Sequence, residues 1–385
     1  MRPLNDLAKV GTKQHYPSLD GLRGLAILLV FFFHYGDTSN SSLHFLRVAN
    51  EFKKSGWIGV DIFFVLSGFL ITGILFESRN DASYYKRFYV RRALRLFPIF
   101  YLVALVVLLF APVLQVHWQW GYLAFLLYGA NIVMAIFPNL EQVGLVTVMH
   151  LWTLAVEEQF YMLWPFAVRH IKSRERILQF ALAVIAIAFA IRVVAFYSGI
   201  STHVLYMELP TRMDSLAVGA VLALLLRGPR PDLWMHIARI SLVPLWLLVV
   251  SMAAYEGGLH FLSPLTALIG YSLLAFASGA LVSETLRPGS WAERAFSNSI
   301  MRFIGKISYG MYIYHLLPWR AAKPVYAYLF LRFHSQLMAG LSTLGVFLTG
   351  TILVSWLSYK FFEMPFLRLK DKLAPAAGKK AALVE

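Results

Sequence analysis

Residues 19–36 read LDGLRGLAILLVFFFHYG, an apolar helix with an arginine near its start, Arg23, and a histidine near its end, His34. Eleven residues at about 100° each return to within about 20° of three full turns, so both side chains share one helix face. They lie about 16 Å apart along the axis, roughly half the thickness of a bilayer's hydrocarbon core. Ionisable groups at such depth are costly, and the cost calls for a function or a partner.

The rest of the chain explains the setting. Of 385 residues, 59% are hydrophobic and only 14% charged, against about 25% charged in soluble domains. Apolar runs fill nearly the whole length, so the fold class is an all-α polytopic membrane protein. No cleavable signal peptide is expected before the first apolar run, which should itself direct insertion. The absence of cysteine removes disulfides, thiolate nucleophiles and cysteine metal sites, and no metal is expected. The net charge of +15 flanks the apolar runs, which fits anchoring at the inner leaflet and not nucleic-acid binding.

Ten crossings are expected, at 19–36, 57–78, 96–116, 148–168, 177–197, 208–226, 238–255, 262–283, 303–319 and 338–361. The stretches ESRNDASYYKRFYVRRALR (77–95), RHIKSRER (169–176), RGPRPD (227–232), 287–306 and the tail from Arg368 are rich in Lys and Arg. They should be cytoplasmic. QVHWQW (115–120), YSGISTHVLY (197–206) and YEGGLHF (255–261) hold neither residue and should face outward. This alternation puts both termini in the cytoplasm only if 120–138, with Gly129, Asn131 and Pro138, is a re-entrant or interfacial segment. The loop 320–336 is placed outside although it carries Arg320, Lys323 and Arg332. The domain organisation is a cytoplasmic segment 1–18, a membrane domain 19–367 and a disordered cytoplasmic tail 368–385.

On this topology His34, Asp61, His150, Arg192, Arg212, Asp214 and His315 gather in the outer half of the membrane, with Glu157 near the midplane. Glu158 points about 100° away from Glu157, so the two are not a carboxylate dyad. A single Asp, Lys or Arg at mid-membrane costs about 2.5–3.5 kcal/mol, so a set of them implies pairing around a polar cavity. On the cytoplasmic side Lys86, Arg87, Arg91, Arg92 and Arg95 precede the third crossing. Arg92 and Arg95, three apart at a helix start, can converge on one anion such as a phosphate of a nucleotide or coenzyme A.

Seven stretches in series resemble the acyltransferase-3 family of integral-membrane O-acyltransferases. They are Arg23-x10-His34, GVDIFFVLSGFLIT (59–72), RRALRLFPIFY (91–101), LWTLAVEEQFYMLWP (151–165), RMDSLAVG (212–219), ISYGMYIYHLL (307–317) and FFEMPF (361–366). The resemblance covers the membrane domain from about Asp20 to Pro365. It implies transfer of an acyl group, most commonly acetyl, from cytoplasmic acyl-CoA to a hydroxyl of a carbohydrate. The resemblance also implies an extracytoplasmic or lipid-linked acceptor and an enzyme in the cytoplasmic membrane of a bacterium, among membrane lipid.

By position, His34 and Arg23 look like the family's catalytic pair, and Arg92 and Arg95 like its donor-associated Arg-x-x-Arg, with Arg91 and Arg23 beside them. His34 is expected to act as general base, Asp61 to orient it, and Glu157 to assist. Glu158, Asp214, Arg212, His315 and His150 are the expected acceptor contacts. Some members of the family continue into an extracytoplasmic hydrolase-like domain, and none is expected after the last helix here. A small-molecule acceptor such as a macrolide is the alternative within the class, and a transporter or flippase is the alternative outside it.

Overall fold

The computed structural model describes residues 16–35, 53–137 and 142–375. The segment before Tyr16, Pro138 and the end of the tail lie outside the described residues. Among those described, eight helices are long and apolar enough to cross a membrane, and the fold is an all-α polytopic membrane bundle. The principal helices are α1 (Pro17–His34), α2 (Ile58–Ser78), α3 (Tyr84–Leu109), α4 (Trp152–His170), α5 (Arg174–Tyr197), α6 (Leu209–Leu226) and α7 (Pro231–Glu256). They continue as α8 (Tyr271–Leu286), α9 (Ser299–Lys306), α10 (Ser308–Tyr314), α11 (Ala322–Phe333), α12 (Gln336–Leu357) and α13 (Met364–Leu373).

The helices α2, α6 and α8 form the interior, whereas α3 and α7 expose most of their surface, as helices solvated by lipid do. Close approach in the interior depends on glycine. A side chain at Gly68 of α2 would strike the backbone of Leu216 on α6, and one at Gly219 of α6 would strike the backbone of Val65 on α2. The two helices interlock backbone to backbone, the packing that small residues permit in membranes. Gly305 of α9 meets the backbone of Asp20 in the same way, which draws the Arg23 end of α1 against α9.

Four expectations change in detail. The α4 region is 19 residues long, enough for a crossing, but Glu157, Glu158 and Arg169 lower its hydropathy, and it is not one of the eight. The expected crossing 303–319 is two short helices, α9 and α10, broken at Ile307 and followed by the turn Trp319–Ala321. Its break lets α9 lie along α1 while α10 enters the bundle. The loop 320–336 is largely helical, as α11. The run through α12, the π-helical turn Ser358–Glu363 and α13 is continuous to Leu373. Residues 368–373 are therefore helix and not disordered tail, held by Arg91, which donates to Asp371 at 3.0 Å. The 120–138 segment is irregular, with short helices Tyr122–Leu126 and Ala130–Ile136 before the hairpin Gln142–Val143/Val146–Thr147.

The basic stretches meet at one end of the bundle. Tyr85 bonds His170 at 3.2 Å, Arg227 donates to Glu77 at 2.8 Å, and Arg174 donates to the Leu224 carbonyl at 3.1 Å. At the opposite end the Trp319 indole donates to the His34 carbonyl at 3.1 Å, and Arg320 donates to the Gly144 carbonyl at 3.2 Å. Arg320 thus shares an end with His34, where the alternation of charge requires it.

Candidate active site

Arg92 and Arg95 lie one helical turn apart in the first half of α3 and open into one cavity with an empty volume of about 670 Å³. Arg23, Ser67, Thr153, Glu157, Ser308, Tyr309 and Tyr312 complete its polar lining. Most of these groups are held. Arg23 donates to Asp20 at 3.1 Å. Arg92 stacks on the Tyr161 ring, 3.8 Å from its centroid, and lies 3.9 Å from Glu158. Ser67 donates to Glu157 at 2.5 Å and accepts from the Tyr161 hydroxyl at 2.7 Å. Arg95 differs. Its side chain is exposed, and no hydrogen bond or ion pair holds it among the described residues. An anion entering the cavity would therefore meet a guanidinium not already bonded to a carboxylate.

A second cavity, of about 820 Å³, lies beyond the first and is lined by His34, His150, His203 and Tyr206 among apolar side chains. Val60, Thr153 and Tyr312 line both cavities. They form a neck in which the Thr153 and Tyr312 hydroxyls lie 2.5 Å apart and Tyr312 donates to the His150 carbonyl at 2.8 Å. The single helix α1 therefore contributes Arg23 to one cavity and His34 to the other. A helical rise of about 1.5 Å per residue fixes their separation at about 16 Å.

Hydrogen bonding also fixes how the imidazoles present themselves. His34 Nδ1 lies 2.7 Å from the Val30 carbonyl, which only accepts, so Nδ1 carries the proton and Nε2 keeps its lone pair. His315 is fully buried, its Nδ1 lies 2.8 Å from the Tyr312 carbonyl, and its ring centroid is 5.1 Å from that of His34 and 5.1 Å from that of His150. His315 lines neither cavity. It packs behind the two histidines that do, and Tyr35 pins its carbonyl with a 2.5 Å hydrogen bond.

Among the described residues no hydrogen bond joins Asp61 to His34. The Asp61 carboxylate accepts from Arg212 at 2.8 Å and from Ser215 at 2.9 Å, in a fully buried pair between α2 and α6. Arg212 also lies over the Tyr271 ring at 4.1 Å. Asp214 is likewise occupied, accepting from Arg192 at 2.8 Å and from Ser272 at 2.7 Å. Neither Arg212 nor Asp214 is among the residues lining these two cavities, and among the described residues both lie in ion pairs that join helices. The reason is geometric: an Asp and an Arg on adjacent interior helices neutralise each other before any ligand arrives. Arg91 turns away from the cavity of Arg92 and Arg95 to Asp371 and the Ala374 carbonyl, and Glu158 faces Arg92 outside the cavity lining.

Removing one partner of such a pair leaves a buried charge alone. Asp61→Ala is expected to cost about 3–5 kcal/mol of stability. Asp61→Leu combined with Arg212→Met should restore most of it, read as thermal unfolding in detergent. A double variant no more stable than the single one would return Arg212 to the list of functional residues.

Sequence reasoning passed over His203, Tyr206 and Tyr312. The only available signal for Tyr312 was its place in ISYGMYIYHLL, three residues before His315. Nothing local marks His203, which lines the second cavity together with Tyr206 and Met207 of the same short helix, Thr202–Met207.

Two joined cavities thus lie within a polytopic helical membrane bundle, one lined by Arg23, Arg92 and Arg95 and the other by His34, His150 and His203. Residues 16–360 match the family model described as an acyltransferase domain (Acyl_transf_3), and the chain belongs to that family. It is 28% identical over 382 residues to the peptidoglycan O-acetyltransferase OatA of Listeria monocytogenes, covering 92% of this chain and 56% of that protein. It is 27% identical over 379 residues to the O-acetyltransferase OatA of Staphylococcus aureus, covering 93% of this chain and 58% of that protein. The chain thus spans less than two thirds of the length of these curated relatives. No solved structure gives a significant match.

Proposed function

We propose that this protein is a membrane O-acyltransferase that moves an acetyl group from acetyl-CoA to a hydroxyl of a carbohydrate polymer or its precursor, in the bacterial cytoplasmic membrane. The observation that carries this reading is the placement of Arg23 and His34 at the two ends of one helix, each in a different one of two joined cavities. Membership of the family and likeness to two proteins named O-acetyltransferase support it.

Coenzyme A enters from the cytoplasm at the basic end, its phosphates meeting Arg95, Arg92 and Arg23. Glu157 accepts hydrogen bonds from the pantetheine amides, and the arm passes the neck at Thr153 and Tyr312. The acceptor arrives from the other end. His34 Nε2 takes the hydroxyl proton as the acceptor oxygen attacks the thioester carbonyl carbon. The new C–O bond forms, the C–S bond breaks, and the departing thiolate recovers the proton from His34. No cysteine or serine nucleophile is required.

The test is titration of acetyl-CoA into the detergent-purified protein by calorimetry, followed by incubation of labelled acetyl-CoA with oligosaccharides of the peptidoglycan type. Saturable binding followed by a label stable at neutral pH and released by mild base is expected for an O-acetyl ester. A protein that binds neither acetyl-CoA nor a longer acyl thioester is not this enzyme.

A further inference from the structure

We propose that an apolar chamber beside the histidine cavity holds the hydrocarbon chain of a lipid-linked carbohydrate acceptor, an assignment that rests on the acyltransferase reading above. The chamber has an empty volume of about 760 Å³, part of it open to the outside. Phe100, Val103, Val107, Leu126, Ile313 and Leu317 are among its lining, and every lining residue is aliphatic or aromatic. A polar ligand entering it would lose hydration without gaining a partner. A hydrocarbon chain loses nothing.

Position identifies which chain. Val148 and Leu151 line the chamber while Met149 and His150, between them, line the histidine cavity. Ile313 lines the chamber and its neighbour Tyr312 the cavity, and His150 Nε2 lies 3.3 Å from the Ile313 carbonyl. The two spaces therefore share a wall. Along α3 the division is as clear: Arg92 and Arg95 line the donor cavity, and Val103, Ala104, Val107 and Leu108 line the chamber, about 12–20 Å further on from Arg95. Around it Leu105, Leu109, Leu123 and Leu127 are exposed, as side chains facing lipid are. A chain lying there enters sideways from the bilayer and holds its head group at the depth of His34, while the donor enters from the opposite end of α3.

The experiment irradiates the full chain in lipid nanodiscs with a polyisoprenyl-linked oligosaccharide bearing a diazirine on its hydrocarbon chain. Adducts are expected within residues 100–126. Filling the chamber by Val103→Trp with Val107→Trp should reduce them at least fivefold. Ala104→Phe should act in the same direction if the double variant does not fold, and Leu248→Trp, on the exposed side of α7, should leave them unchanged. A diazirine-bearing phosphatidylglycerol should label the same residues at least fivefold less. Equal labelling by the phospholipid, which would make the chamber a site for bulk lipid only, overturns the proposal. So does labelling that survives filling. Transfer of labelled acetyl is read in the same samples: expected adducts without any transfer sink the acyltransferase reading and with it the acceptor role, leaving the chamber only as a binding site for the polyisoprenyl chain.

Discussion

Replacement of His34 by glutamine is expected to lower acetyl transfer by about 10²–10⁴-fold, the usual contribution of a positioned general base, while the affinity for acetyl-CoA stays within about twofold, since no charge in the donor cavity changes. Glutamine is the informative change. Its amide can still donate to the Val30 carbonyl, which accepts from His34 at 2.7 Å, so the helix end and its packing against His315 are preserved. What it lacks is a basic nitrogen. Donor binding by titration and transfer by labelled acetyl separate the two quantities. Transfer within threefold of wild type would place the base elsewhere, and His150, which lines the same cavity, would be next. Loss of donor binding together with transfer would mean that His34 supports the bundle and not the reaction.

Arg95→Ala is expected to weaken acetyl-CoA binding by about 10–150-fold, the loss of one charge-assisted hydrogen-bonding group worth about 1.5–3 kcal/mol. Arg95 is a cleaner probe than Arg92. Arg92 stacks on Tyr161 and faces Glu158, so its removal disturbs packing and strands a carboxylate. Arg95 has no such partner among the described residues, so its loss should cost the protein little stability. Lysine at 95 restores the charge but not the planar fork, and should recover only part of the affinity. Raising the salt concentration should weaken wild-type binding more than that of Arg95→Ala. Arg91→Ala serves as the comparison, because Arg91 is spent on Asp371 and the Ala374 carbonyl. Equal losses for Arg91→Ala and Arg95→Ala would show a general effect of charge and no donor site.

Much of this organisation is legible without coordinates. The apolar runs and the alternation of basic and Lys/Arg-free loops give a polytopic bundle whose basic segments share one end, because insertion energetics act on local composition. The 120–138 segment is recognisable as irregular from its Gly, Asn and Pro. The shared face of Arg23 and His34 follows from helical period alone, and the continuous helix Pro17–His34 preserves it. The count of crossings is less legible. Hydropathy does not distinguish one helix over 303–319 from the two helices α9 and α10, whose break answers to the packing of Gly305 against α1.

The sequence by itself determined the class, the membrane setting, and the spacing of Arg23 from His34 and of Arg92 from Arg95, since each is a property of one segment and its own period. Only the tertiary structure decided which charges are available. Asp61, Arg192, Arg212 and Asp214 are as conspicuous in the sequence as Arg95, yet they close on one another between helices while Arg95 is left open to a cavity. Whether a buried charge serves structure or a ligand depends on what the neighbouring helix brings within about 3 Å, and that neighbour lies far away along the chain, where no local pattern records it.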